Sequence, residues 1–189
     1  MNKIIIIFFC ALLLSCQSTP IQNSSIQTNP TTQKEVIVPL AVGNKWIHIS
    51  NTGTEVTSEV TNTVIINGKT WFQYYETGYI EGPYFVINTN EGQLESFDSI
   101  EKGSIEECTI FKFPVTQYEE YECFDVKMSV TPNIEITVPA GSFHTYLYVF
   151  GIDDPTGSQV WYAPNIGLVK QTVNGETFEL IKYSIIKEE

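Results

Sequence analysis

Apolar positions fall in three regimes along the chain of 189 residues. Positions 4–14 are continuously apolar, positions 17–35 are almost entirely Gln, Ser, Thr, Asn and Pro, and from position 36 onward short runs of Val, Ile, Thr, Tyr and Phe are broken by Gly, Asn and Pro. The third regime is the vocabulary of strands and tight turns. Asn67-Gly68 separates runs 61–66 and 69–75, and Asn174-Gly175 separates 168–173 from 177–186; both dipeptides predict type I′ hairpins, which need positive φ at both central positions. Further strands are predicted at 45–50, 84–88, 93–97, 108–113, 121–130, 134–138, 145–152 and 159–163. No segment sustains a 3.6-residue period. Leu94, Phe97 and Ile100 recur at i+3 and stop before Gly103, which allows at most one short helix. The predicted fold is all-β, a single antiparallel β-rich domain built as a sandwich or as a strongly curved sheet or half-barrel.

Two predicted strands are apolar on both faces. Tyr146, Tyr148 and Phe150 alternate with Leu147 and Val149, while Trp71 and Tyr75 alternate with Phe72 and Tyr74. A strand buried on both sides explains this, by a second layer or by the sheet folding on itself. The functional alternative is a curved sheet whose inner face lines an apolar ligand groove, for which tyrosine, apolar in body and polar at the tip, is suited.

The first regime follows a lone cation, Lys3, and ends at the small residue Ser15, the order of an export signal. It is shorter than the roughly 20 residues that a helix needs to cross a bilayer, and no permanent transmembrane helix is predicted. Leu13-Leu14-Ser15-Cys16 resembles the lipobox of bacterial lipoproteins. The resemblance implies a signal peptide over 1–15, cleavage before Cys16, and a diacylglycerol on the Cys16 thiol with further acylation, palmitate included, at the new amino terminus. Two or more chains anchor stably, because each buried CH2 contributes about 0.8 kcal/mol and one chain alone is marginal. An ordinary secretory signal cut near Ser15 is the alternative. Gln17 stands where an Asp would argue for inner-membrane retention in enteric bacteria, so the expected location is the cell envelope, with the outer membrane favoured over the inner. Residues 16–35 then form the lipidated Cys and a disordered stalk with an r.m.s. reach of about 25 Å, and residues 36–189 the β-rich envelope domain, which leaves no room for a second one.

Charge narrows the partners. The chain has 22 acidic residues against 10 basic ones, all of the latter Lys, for a net −12; loss of Lys3 with the signal makes the remainder −13. Such a surface repels phosphate backbones and lacks the bidentate fork of Arg, so no nucleic-acid partner is predicted. It suits solubility and a cationic or metal-rich partner, although a solvated acidic surface is the more frequent meaning of such a charge. Of four cysteines, Cys10 leaves with the signal and Cys16 is committed to lipid, which leaves Cys108 and Cys123. Maturation in an oxidising compartment and positions flanking a predicted hairpin favour a disulfide between them. Two buried thiols or a soft-metal pair are the alternatives, the second weakened by the lack of any Cys or His at zinc-ligand spacing beside either residue.

Pro39-Leu40 is followed by Trp46, and Pro114-Val115 by Tyr121, at the same seven-residue offset from the proline; the echo reads as two similar strand entries. Three motifs stand in order along the domain: Pro39-Leu40-Ala41-Val42-Gly43-Asn44-Lys45-Trp46, Val138-Pro139-Ala140-Gly141-Ser142-Phe143 and Trp161-Tyr162-Ala163-Pro164-Asn165-Ile166-Gly167-Leu168-Val169-Lys170. Through them the chain resembles a loose group of uncharacterised bacterial envelope lipoproteins and periplasmic proteins. The resemblance implies a compact β-rich domain and carries over no catalytic residue. On physical grounds Gly43-Asn44 and Pro139-Ala140-Gly141 are turns at strand entries, and Trp46, Phe143 and Trp161 are core anchors.

Catalytic chemistry is hard to find. His48 and His144 are the two histidines, neither with a second ligand at metal spacing. Ser142 follows Gly141 without the flanking glycines of a nucleophile elbow, and phosphate-binding and dinucleotide fingerprints are missing. Glu119, Glu120 and Glu122, and Asp153-Asp154-Pro155-Thr156-Gly157, could hold calcium, although a solvated rim and an ordinary turn explain them as well. No catalytic residue, metal site or cofactor is assigned. The expected function is that of a membrane-tethered envelope lipoprotein with a non-enzymatic binding domain, its partner another envelope protein or a small apolar ligand such as a lipid. A carboxylate-based hydrolase, with at least two acids gathered in a pocket, and a purely structural role are the alternatives.

Overall fold

The computed structural model describes residues 34–77, 82–97, 106–154 and 156–186. They form one antiparallel sheet of twelve strands and no helix: β1 Lys45–Ser50, β2 Glu55–Ile66, β3 Lys69–Thr77, β4 Gly82–Asn88, β5 Gly92–Phe97, β6 Glu106–Lys112, β7 Glu119–Cys123, β8 Val126–Val138, β9 Gly141–Phe150, β10 Gln159–Ala163, β11 Gly167–Val173 and β12 Glu176–Ser184. The strand order is β6-β5-β4-β3-β2-β1-β12-β11-β10-β9-β8-β7. Each half of the chain is thus a six-stranded meander, and the two are joined by the β1–β12 ladder. The two proline echoes stand at the entries to these halves, before β1 and before β7.

The sheet curls until its two edges meet, making a nearly closed barrel and not a sandwich. At that seam β6 and β7 exchange no backbone ladder; side chains close it. Cys108 and Cys123 form a disulfide with their Cα atoms 5.6 Å apart. The Tyr121 hydroxyl donates to the Ile110 carbonyl at 2.9 Å, and Lys112 pairs with Glu119 at 2.9 Å. From inside, the Tyr148 hydroxyl of β9 donates to the Lys112 carbonyl at 2.8 Å. The cysteines therefore do not flank a hairpin, as their spacing suggested, but bridge the opposite edges of the sheet.

Three sequence expectations are corrected. The run 121–130 contains a reversal, because Phe124 and Asp125 adopt φ of 48° and 60° and make a two-residue turn between β7 and β8. Strand 134–138 is not separate: β8 runs on through an irregularity between Thr131 and Ile134, where Asn133 has φ of 61°. Leu94 and Phe97 lie in β5, so the short helix does not form there; Ile100 and Gly103 lie outside the described residues. The predicted hairpin turns have the positive φ they require, 50° and 75° at Asn67-Gly68 and 51° and 79° at Asn174-Gly175.

The β2–β3, β4–β5, β6–β7, β8–β9 and β10–β11 connections share one end of the barrel, and the chain enters there. Ile37 and Val38, both buried, plug this entry end. Val36 and Asn165 exchange two hydrogen bonds, Val36 N–H to the Asn165 side chain at 3.2 Å and Asn165 N–H to the Val36 carbonyl at 2.8 Å, and Asn88 donates to the Val38 carbonyl at 2.7 Å. Residues of the three sequence motifs share one core cluster with Ile37 and Val38. Asn44, fully buried, donates to the Pro39 carbonyl at 2.9 Å and accepts from Ile186 N–H at 2.7 Å. The Trp46 indole donates to the Ile166 carbonyl at 2.5 Å, and its ring lies against Gly167, where a Cβ would come within 3.1 Å of it at φ of 103°. Ala140 N–H donates to the Leu180 carbonyl at 3.0 Å. These motifs build the base of the barrel.

Because the seam lacks a ladder, the disulfide carries much of its closure. Replacing Cys108 and Cys123 together with Ser is expected to lower stability by about 3 kcal/mol, the chain-entropy value for a loop of this length, read as a lower urea midpoint; an unchanged midpoint would show that the side-chain contacts close the seam alone.

Candidate functional site

Side chains fill much of the inner face. Trp46, Val60, Met128, Val130, Tyr148, Val169 and Leu180 pack the barrel interior, and Phe111 of β6 meets Tyr162, Tyr148 and Phe150 at ring-centroid distances of 4.2, 5.0 and 6.0 Å. Beyond them lies a cavity of about 250 Å³ with Val38 of the plug in its wall. Val86, Phe111, Phe150, Val160, Leu168 and Val173 supply its apolar surface, and Tyr74, Glu76, Tyr84, Gln93, Tyr162 and Gln171 its polar tips. This is the composition of a small-molecule site, apolar with a few placed polar groups, and its volume is just below the usual range. The doubly apolar strands are explained in part: Tyr74 and Phe150 line the cavity, while Trp71, at the opposite parity to Tyr74 on β3, is fully buried.

Glu76 is the carboxylate among the described lining residues. It sits directly across the β2–β3 ladder from Ser58, which is fully buried and whose hydroxyl donates to the Glu76 carboxylate at 3.2 Å. Tyr74, two residues before Glu76 on β3, lines the same wall. Burial raises the Glu76 carboxyl above its ordinary range, and the Ser58 bond opposes that shift. Neither residue stands out in the sequence. A single acid at the end of an aromatic strand looks like a solvated position, and only the register, which turns positions 72, 74 and 76 inward together, marks it.

The residues singled out in the sequence are scattered. Cys16 lies outside the described residues. Cys108 and Cys123 are consumed at the seam. Glu120 and Glu122 are exposed, Glu120 accepting from the Tyr118 hydroxyl at 2.6 Å. Asp153 pairs with Lys127 at 2.5 Å. Asp154 accepts from both the N–H and hydroxyl of Thr156 at 2.8 Å, a turn in which those two bonds hold its carboxyl below the usual range. His144 is exposed opposite Glu135, and the Ser142 hydroxyl pairs with that of Thr137 at 2.8 Å. Among the described residues no three His, Cys, Asp or Glu side chains are placed to hold a metal ion, and no second acid lines the cavity with Glu76, so the carboxylate pair of a glycosidase-like site is not assembled there.

Comparisons with known proteins add little. No family model matches the chain, and no curated protein is significantly similar to it. Two solved structures are similar over 80% of this chain and 100% of their own: a protein from Parabacteroides distasonis described as a lipoprotein, at 13% identity and a TM-score of 0.43, and one from Bacteroides fragilis described as an exported protein with a YmcC-like fold, at 14% and 0.37. What the cavity could hold follows from its own residues.

His48 is also buried, inward on β1 with its ring Nε2 3.1 Å from the Leu168 carbonyl. Burial lowers its pKa from 6.5 to about 4, and the bond to Leu168 opposes the shift. The folded state holds the imidazole neutral, so its contribution is complete above pH 6.5 and is lost as pH falls through the folded value near 4. The raised Glu76 carboxyl acts with the opposite sign: the folded state favours its protonated form, and its contribution is lost as pH rises. The wild type should therefore lose stability between pH 6.5 and 4 more steeply than His48→Gln, by about 3 kcal/mol over the window. Urea titrations at both pH values measure this, and parallel curves would contradict it.

Proposed function

We propose that this chain is a bacterial envelope lipoprotein whose barrel domain binds a small, predominantly apolar ligand in its interior. In this reading the signal 1–15 is removed, Cys16 carries the acyl chains, 17–35 is the stalk, and 36–189 is the binding domain, held at a membrane by its lipid anchor. The lipobox-like Leu13-Leu14-Ser15-Cys16 supports the anchor. The observation that carries the binding role is the apolar cavity of about 250 Å³ inside a barrel otherwise filled with side chains. Well-packed cores leave few voids larger than a water molecule, so a space of this size walled by aromatic rings and a few polar tips has the character of a ligand site. No nucleic acid suits the acidic chain, and the outer membrane is the favoured location.

Two measurements test the two parts. Cys16→Ala, followed by cell fractionation, is expected to abolish incorporation of labelled palmitate; undiminished labelling would rule out the anchor. Native mass spectrometry of the chain purified from its own envelope is expected to reveal a bound small apolar molecule that Val160→Trp, which fills the cavity, excludes. A ligand-free spectrum, or a ligand retained unchanged in Val160→Trp, would refute the binding role.

A further inference from the structure

The proposed ligand can be given a chemical class, resting on the reading that the cavity is a binding site. Its described lining contains a carboxylate, Glu76, and neither Lys nor His; Arg does not occur in the chain. The Ser58 hydroxyl donates one hydrogen bond to Glu76, whereas an ionised carboxylate accepts at about four lone-pair sites. A carboxylate against an apolar wall is poorly solvated, and a cation beside it restores the charged form. An acid-headed lipid would meet the reverse situation, an anion next to Glu76 without a basic partner. The excess of acidic residues over the whole chain biases encounter in the same direction.

We propose that the cavity selects an apolar amine, its hydrocarbon body against Val86, Phe111, Phe150 and Val160 and its protonated nitrogen against the Glu76 carboxylate. Ser58 holds that carboxylate in place from β2. The recognition is non-covalent: a charge-assisted hydrogen bond at one end and apolar burial along the rest.

Equilibrium dialysis of labelled octylamine, 1-octanol and octanoate tests this, with the full chain in lipid nanodiscs and empty nanodiscs as the blank. Octylamine is expected to bind at about one per chain and about tenfold tighter than 1-octanol, a difference near 1.4 kcal/mol, with octanoate weakest. Glu76→Gln should bring octylamine down to the level of 1-octanol and leave 1-octanol unchanged, and Glu76→Asp should keep part of the preference. Equal binding of amine and alcohol, or a preference that survives Glu76→Gln, would overturn the amine assignment while leaving an apolar binding site. Binding of none of the three above the blank would overturn the site itself.

Discussion

Every junction in this ring of twelve strands is a backbone ladder except the one between β6 and β7. That exception governs the rest of the structure. A curled sheet with two free edges exposes unpaired N–H and C=O groups and would tend to open or to pair with other chains. Here the two edges are drawn together by the Cys108–Cys123 disulfide, the Tyr121 bond to Ile110, the Lys112–Glu119 pair and, from within, the Tyr148 bond to Lys112. The surface ion pair contributes little in water and the tyrosine bonds about 1 kcal/mol each, so the covalent link is the largest single contribution. With the seam shut, positions that would be the wet face of an open sheet become an interior.

That interior is divided by the chain's own entry segment. Ile37 and Val38 fill the base, where Asn44, Asn88 and Asn165 satisfy the backbone groups that the plug buries. Beyond the plug the wall of Phe111, Phe150, Tyr162 and Tyr74 stops short of filling the space. A barrel closed by ladders all round would fix every wall strand equally. Closing it through side chains leaves β6, which carries Phe111 into the cavity wall, tied to its neighbour on one side by β5 and on the other by a staple.

The fold class was legible because alternation and turn chemistry are local. Asn67-Gly68 and Asn174-Gly175 announce their turns, whereas Phe124-Asp125 does not, since phenylalanine is no turn former and its positive φ is imposed by the tight return from β7 into β8. The strand from Glu55 to Val60 was missed for a similar reason: Glu55, Thr57 and Glu59 face out and dilute the signal of Val56, Ser58 and Val60. The site was barely legible. Cys108 and Cys123 were paired on a sound chemical argument but with the wrong geometry, because nothing local says that consecutive strands lie at opposite ends of the strand order. Glu76 became visible only through its register with Ser58, and His48 through its burial beside the Leu168 carbonyl.

The central claim is that side chains and one disulfide, not a ladder, shut the barrel at β6 and β7. Amide hydrogen exchange on the oxidised and the reduced chain tests it most directly. Reduction should accelerate exchange first in β6 and β7, with β1 and β12 still protected at the opposite side of the ring. Equal protection of β6 and β7 in both states, or acceleration spread uniformly over all twelve strands, would contradict it.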